Sequence, residues 1–177
     1  MRILVLLSLL FFSACGHFAG AGRASVLDSV DVVDDAGRSF TLAAYRDKAV
    51  VLDFCAAWSD PCLLNAQALH QVFTQTRESH VKVISILMDS MGQAAVRSYE
   101  NVLALEHEIL LPGPALRAGQ TSLGPIETIP RLVLLAPGGH LMEDIAGQVI
   151  SADGILNRLR KVLPPEAFVE NQPVPSR

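Results

Sequence analysis

Val51-Leu52-Asp53-Phe54-Cys55-Ala56-Ala57-Trp58-Ser59-Asp60-Pro61-Cys62 decides how this chain folds. Its first half continues from Ala49 as an apolar run broken only by Asp53, and Val-Val-Leu content at this short length predicts a buried central strand over Ala49–Cys55. Its second half opens a helix. From Asp60 to Glu78 the apolar Cys62, Ala66, Leu69 and Phe73 recur at helical spacing, with polar Asn65, Gln67, Gln71 and Gln75 between them. Ser59 suits the N-cap, Asp60 sets a negative charge against the helix dipole, and Pro61 in the first turn gives up no needed hydrogen bond. Asp53 stands out, because a carboxylate inside an apolar strand is costly unless it is paired or used.

Working outward, Ser29–Val33 and Ser39–Leu42 flank the turn signal Asp34-Asp35-Ala36-Gly37-Arg38 and predict a hairpin before the central strand. Val81–Met88 predicts a second buried strand and Gln93–Leu105 a second helix with Ala95, Tyr99 and Val102 on one side. This strand-helix alternation argues for parallel strands joined by right-handed crossovers. His107–Leu111 reads as a short extra strand, followed by looser chain around a short helical piece between Pro112 and Gly119. Arg131–Ala136, the turn Pro137-Gly138-Gly139 and His140–Ala146 read as a second hairpin, and Ala152–Leu163 as a final helix stopped by Pro164-Pro165. The Pro-containing tail, residues 164–177, is expected to have nothing to bury.

With 177 residues, half of them apolar, and a net charge of -4, the chain is one ordinary domain. It is neither a disordered acidic segment nor a basic surface for nucleic acid. Arg2 followed by the apolar run Ile3–Phe12 has the layout of a secretory signal, and that run is about half the length needed to cross a bilayer. Phe12-Ser13-Ala14-Cys15 resembles the lipobox of bacterial lipoproteins, with Phe12 where Leu is usual. The resemblance implies a signal over 1–14, a lipid on Cys15, a flexible Gly- and Ala-rich tether over 15–25, and a domain over 26–163 held on the periplasmic side of a bacterial membrane. The alternative is ordinary cleavage after Ala19-Gly20-Ala21 or Gly22-Arg23-Ala24, giving a soluble periplasmic or secreted protein. With Cys15 acylated, Cys55 and Cys62 are the remaining thiols, in a compartment where disulfides persist.

The stretch Val51–Cys62 resembles the strand and active-site turn of thioredoxins, which normally ends W-C-x-x-C; Ser59 stands where the first cysteine belongs. Thr128-Ile129-Pro130 before an apolar strand looks like the same family's cis-proline loop. The added strand and helix between the two motifs, the first hairpin and the signal look most like the extracytoplasmic TlpA/ResA branch. The resemblance implies an α/β fold: a thioredoxin-like three-layer sandwich with a central mixed sheet, helices on both faces and an N-terminal β-hairpin. It implies thiol-disulfide chemistry on extracytoplasmic proteins with thiols or disulfides, and no cofactor.

In the family, a low-pKa first cysteine attacks a disulfide and the second resolves the intermediate; Ser59 cannot do this, so no disulfide can close within the turn. Cys62, about one turn into the helix, is either a reactive thiolate or a buried structural thiol. By resemblance Asp53 lies beneath Cys62 as its proton acceptor, with a pKa raised by burial; the alternative is a leftover acid solvated by internal water. Strand alternation puts Cys55 on the same face as Asp53. Cys55 is expected to fill space where an aromatic residue often stands, and a displaced Cys55–Cys62 redox pair is the alternative. Trp58, Asp60, Pro61, Ile129 and Pro130 are expected to shape a shallow substrate groove, or simply to pack.

Ser59-x-x-Cys62 also resembles the [Thr/Ser]-x-x-Cys of peroxiredoxins, which implies peroxide reduction by Cys62 alone with Arg131 as a supporting cation. Cys55 departs from that pattern, where proline is usual. A different class of reading is a redox-inactive binding or chaperone-like module that keeps the groove. His17, His70, His80, His107 and His140 show no metal-ligand spacing with either cysteine, so no metal site is expected.

Overall fold

The computed structural model describes residues 25–169. The expected signal, Cys15 and the tether up to residue 24 lie outside the described residues, as does the tail from residue 170. In chain order the described residues form a one-turn helix α1 (Val26–Ser29), strands β1 (Asp31–Val33) and β2 (Ser39–Thr41), and a 3-10 turn at Leu42–Tyr45. They continue with β3 (Ala49–Cys55), α2 (Asp60–Gln75), β4 (Val81–Leu87), α3 (Gln93–Leu103), β5 (Glu108–Pro112) and the one-turn α4 (Pro114–Arg117). The chain then adds β6 (Arg131–Ala136), β7 (His140–Ala146), α5 (Ala152–Leu159) and a 3-10 turn at Pro165–Ala167. No described helix is long and apolar enough to cross a membrane.

The strands make one seven-stranded mixed sheet in the order β2-β1-β5-β4-β3-β6-β7. β3, β4 and β5 run parallel, as the alternating pattern requires, while β6 lies antiparallel to β3 and β1 antiparallel to β5. β3 is buried along its whole length because it has neighbours on both edges and layers on both faces. Its alternation sorts the core. Val50, Leu52 and Phe54 join the cluster beneath α1, α4 and the first 3-10 turn, and Ala49 and Val51 join the cluster under α2 and α5. Cys55 continues that second face into a third cluster with Cys62 and Ala66 of α2 and Ala95, Val96 and Tyr99 of α3. This is a thioredoxin-like three-layer sandwich, with the N-terminal hairpin at one edge.

Several boundaries differ from the pattern in the sequence. α2 stops at Gln75 rather than Glu78, because Thr76 turns extended and forms a β-bridge with Phe168. The first part of the tail therefore does bury something: Ala167 has no exposed surface, and the amides of Arg77 and Val169 bond to the carbonyls of Ala167 and Gln75 at 2.8 and 2.9 Å. α5 ends at Leu159, after which the chain continues in turns to Leu163. α3 ends two residues early, with Ala104 left-handed. Ser25, assigned to the tether, is buried beside Gly139, and a Cβ on that glycine would collide with its hydroxyl.

Candidate active site

The loop after β3 is short and tightly bonded. Ser59 N–H donates to Ala56 O at 3.1 Å, and the amides of Cys62 and Leu63 donate to Ser59 O at 2.9 and 3.1 Å, which starts α2. Ser59 occupies the N-cap position, but its hydroxyl makes no capping bond. Asp60 and Pro61 fill the first turn and are exposed, and Trp58 projects with 75% of its surface open.

Cys62 points inward and has no exposed surface. Its sulfur accepts the Ala56 N–H at 3.3 Å. The neighbouring Cys55 thiol is the largest influence on it, and with the Ser59 hydroxyl and the Ala56 amide it pulls the Cys62 pKa down to about 6 against the opposing effects of burial and the Asp89 carboxylate. Cys55 is affected in the opposite sense: Cys62, burial and Asp53 push its thiol well above the ordinary value, and Tyr99 partly offsets this. Both cysteines are free thiols.

Asp53 shares this face, two residues before Cys55, and is fully buried. Burial first and the Cys62 sulfur second raise its pKa to about 7, opposed by hydrogen bonds from Cys55 and Asn65. The Asn65 side-chain amide donates to Asp53 Oδ1 at 3.5 Å, while Asp53 Oδ2 has no protein partner. A carboxyl with that value exchanges a proton readily near neutral pH.

Ile129-Pro130 is a cis peptide bond, and Ile129 packs against the cluster that contains Cys55 and Cys62. The turn, the interior aspartate and the distant proline loop thus meet around the two sulfurs.

Arg131 is not brought there. It pairs across the sheet with Phe54, whose side chain lies on the opposite face from Asp53 and Cys55. Its guanidinium is held by Asp144 at 2.7 and 2.8 Å and by the carbonyls of Pro125 and Leu123. The expectation that it supports the Cys62 thiolate is corrected by that geometry.

Three site neighbours escape the sequence pattern. Asn65 is buried rather than surface-facing; its carbonyl oxygen accepts the Ile150 amide at 3.1 Å while its amide serves Asp53. Tyr99 sends its hydroxyl from α3 to within 3.6 Å of Cys55 Sγ and donates to the Cys62 carbonyl at 3.3 Å. Asp89, just past β4, accepts the Ala57 N–H at 2.9 Å and ties the active-site loop to the neighbouring strand. Only Asn65 leaves a signal, being three residues after Cys62 and therefore on its helical face. His107 is spent on Ser85, 2.9 Å from its Nε2, and no group of three His, Cys, Asp or Glu among the described residues is arranged for a metal ion.

The fold and this loop-helix junction define a thioredoxin-like protein. Residues 25–111 match the model of the AhpC/TSA family. Among curated proteins it is similar to the thiol-disulfide oxidoreductase ResA of Oceanobacillus iheyensis, 22% identical over 124 residues that make up 70% of this chain and 62% of that protein. The match thus spans less than two thirds of the relative's length.

Among solved structures, a secreted Mycobacterium tuberculosis disulfide oxidoreductase homologous to E. coli DsbE superposes with a TM-score of 0.62 at 20% identity, over 77% of this chain and 97% of that one. An exposed lipoprotein thioredoxin of Streptococcus pneumoniae superposes at 0.59 and 18% identity, over 75% and 98%. These likenesses carry the fold.

Proposed function

We propose that this domain has a thiol-based redox function centred on Cys62, with Asp53 as the proton acceptor beneath it and Ser59 as a hydroxyl donor to the thiolate. The observation that carries this reading is the placement of the Cys62 sulfur. It sits at the start of a 16-residue helix, accepts a backbone amide at 3.3 Å, and lies over a buried carboxyl that titrates near neutrality. A structural thiol needs none of these. The ResA relative, a thiol-disulfide oxidoreductase, points to sulfur chemistry.

The substrates under this reading are extracytoplasmic thiols, disulfides or peroxides, met on the groove formed by Trp58, Asp60, Pro61, Ile129 and Pro130. The chain is exported and held at the membrane by lipid on Cys15, a reading supported by Phe12-Ser13-Ala14-Cys15 and by the lipoprotein among its structural neighbours. The test is peroxide-dependent oxidation mapped to Cys62, as a sulfenate or as a disulfide formed from it. Modification abolished by Cys62→Ala is expected, and a Cys62 that stays unmodified under excess peroxide would sink the reading.

One observation favours a second reading, a binding module without turnover: Trp58 is 75% exposed while Cys62 has no exposed surface. Capture of cysteine-containing partners that survives Cys62→Ser would favour it. Insulin reduction that appears only in Ser59→Cys would show a competent fold with a disarmed natural site.

A further inference from the structure

We propose that Cys55 and Cys62 form a working dithiol, a disulfide closing between the end of β3 and the first turn of α2 in place of the bond that Ser59 forbids, and formed when a small hydroperoxide oxidises Cys62. The proposal rests on the reading of Cys62 as the reactive sulfur and adds the residue that resolves it and the class of oxidant.

The geometry begins with the Ala56 amide. That N–H points at Cys62 Sγ from 3.3 Å, and the bond from Cys55 to Ala56 is trans. In a trans peptide the amide hydrogen lies on the same side as the preceding Cα, so the Cys62 sulfur is held alongside the Cα of Cys55. Tyr99 spans the same two residues, its hydroxyl 3.6 Å from Cys55 Sγ and 3.3 Å from the Cys62 carbonyl. Both cysteines are without exposed surface and belong to one packed cluster. Each is the strongest single influence on the other's thiol. Asp53 completes the group, buried two residues before Cys55 and on the same face of β3.

Burial also selects the oxidant. The disulfide of a folded protein cannot approach a sulfur that has no open surface, whereas a hydroperoxide of a few heavy atoms needs only a small opening of the loop between β3 and α2. The Cys62 thiolate attacks the terminal oxygen of ROOH; an S–O bond forms, the O–O bond breaks, and the alkoxide takes a solvent proton to leave as ROH. Cys55 then passes its proton to the Asp53 carboxylate and its thiolate attacks the Cys62 sulfur. An S–S bond forms, the S–O bond breaks, and the leaving hydroxide takes the proton from Asp53 and departs as water. The two thiols lose two electrons and the hydroperoxide gains them.

The test uses the full chain, reduced, treated with hydrogen peroxide, quenched with an alkylating agent and mapped by mass spectrometry without reduction. A parallel sample carries dimedone to trap sulfenic acid. The expected result for the wild type is a Cys55–Cys62 cross-linked peptide with both thiols lost together and little trapped sulfenate. In Cys55→Ser the bridge is absent and dimedone-labelled Cys62 rises several-fold. A wild-type Cys62 that accumulates as sulfenate, or bridges to Cys15, while Cys55 stays free overturns the pair and leaves the reactivity of Cys62 standing. A Cys62 that peroxide never modifies overturns both. The wild-type arm decides the matter even if Cys55→Ser does not fold.

Discussion

Asn65 holds Asp53 from the first turns of α2, its side-chain amide 3.5 Å from Asp53 Oδ1, while its own carbonyl oxygen accepts the Ile150 amide at 3.1 Å. One buried amide therefore fixes the acid under the Cys62 sulfur and pins the segment that leads into α5. Replacing it removes a donor from Asp53 and an acceptor from Ile150, both inside the fold. Asn65→Ala is expected to cost about 1–3 kcal/mol in urea unfolding. The cost should be greater at pH 8 than at pH 5, because the lost donor favours the ionised form of Asp53.

Asp53 opposes stability as pH rises. Its carboxyl moves from an ordinary 3.8 to about 7 in the fold. Between those values the folded chain keeps a proton that the unfolded chain releases, so the unfavourable contribution grows through that window and is complete above about pH 7. Asp53→Asn is expected to be more stable than the wild type by on the order of a few kcal/mol at pH 8 and nearly equal to it near pH 4. The same variant should slow bridge formation, since Cys55 loses its proton acceptor. Denaturation at the two pH values measures the first effect and the rate of cross-linking the second.

Ser59 contributes to the sulfur rather than to the helix. Its hydroxyl makes no capping bond but helps to lower the Cys62 pKa. Ser59→Ala should therefore cost less than the ~1 kcal/mol typical of a lost N-cap. It should also move the midpoint of Cys62 alkylation upward from about 6, with a clear loss of rate at pH 6. An unchanged alkylation profile would remove Ser59 from the site.

Arg131 supplies the converse case. It is committed to Asp144 and two carbonyls on the opposite face of the sheet. Arg131→Met should lower stability by about 1–2 kcal/mol through those lost bonds and leave the Cys62 alkylation profile where it was. A displaced profile would restore the cationic role that the peroxiredoxin resemblance implies.

Much of this architecture was legible because it is local. Ala49–Cys55, Arg131–Ala136 and His140–Ala146 have the bounds their apolar runs and flanking turns predict, and the start of α2 follows from Ser59-Asp60-Pro61. Asp53 and Cys62 could be named because a charge in a buried strand and a sulfur at a helix start are anomalies that sequence displays. Tyr99 and Asp89 could not, since a tyrosine on an apolar helix face and an acid past a strand end look ordinary until α3 and β4 are set beside β3. The tail departs from its sequence pattern for a related reason: Ala167 and Phe168 find their burial against α2, more than ninety residues away in sequence, and the prolines around them give no hint of it.

The most direct measurement is the titration of the Cys62 Cβ resonance by 13C NMR from pH 4 to 10 in the full chain, reduced, with selectively labelled cysteine. The expected result is an inflection near pH 6 coupled to a second near pH 7 that disappears in Asp53→Asn. A single inflection at or above the ordinary thiol value of 9.0, unaffected by Asp53→Asn, would contradict it.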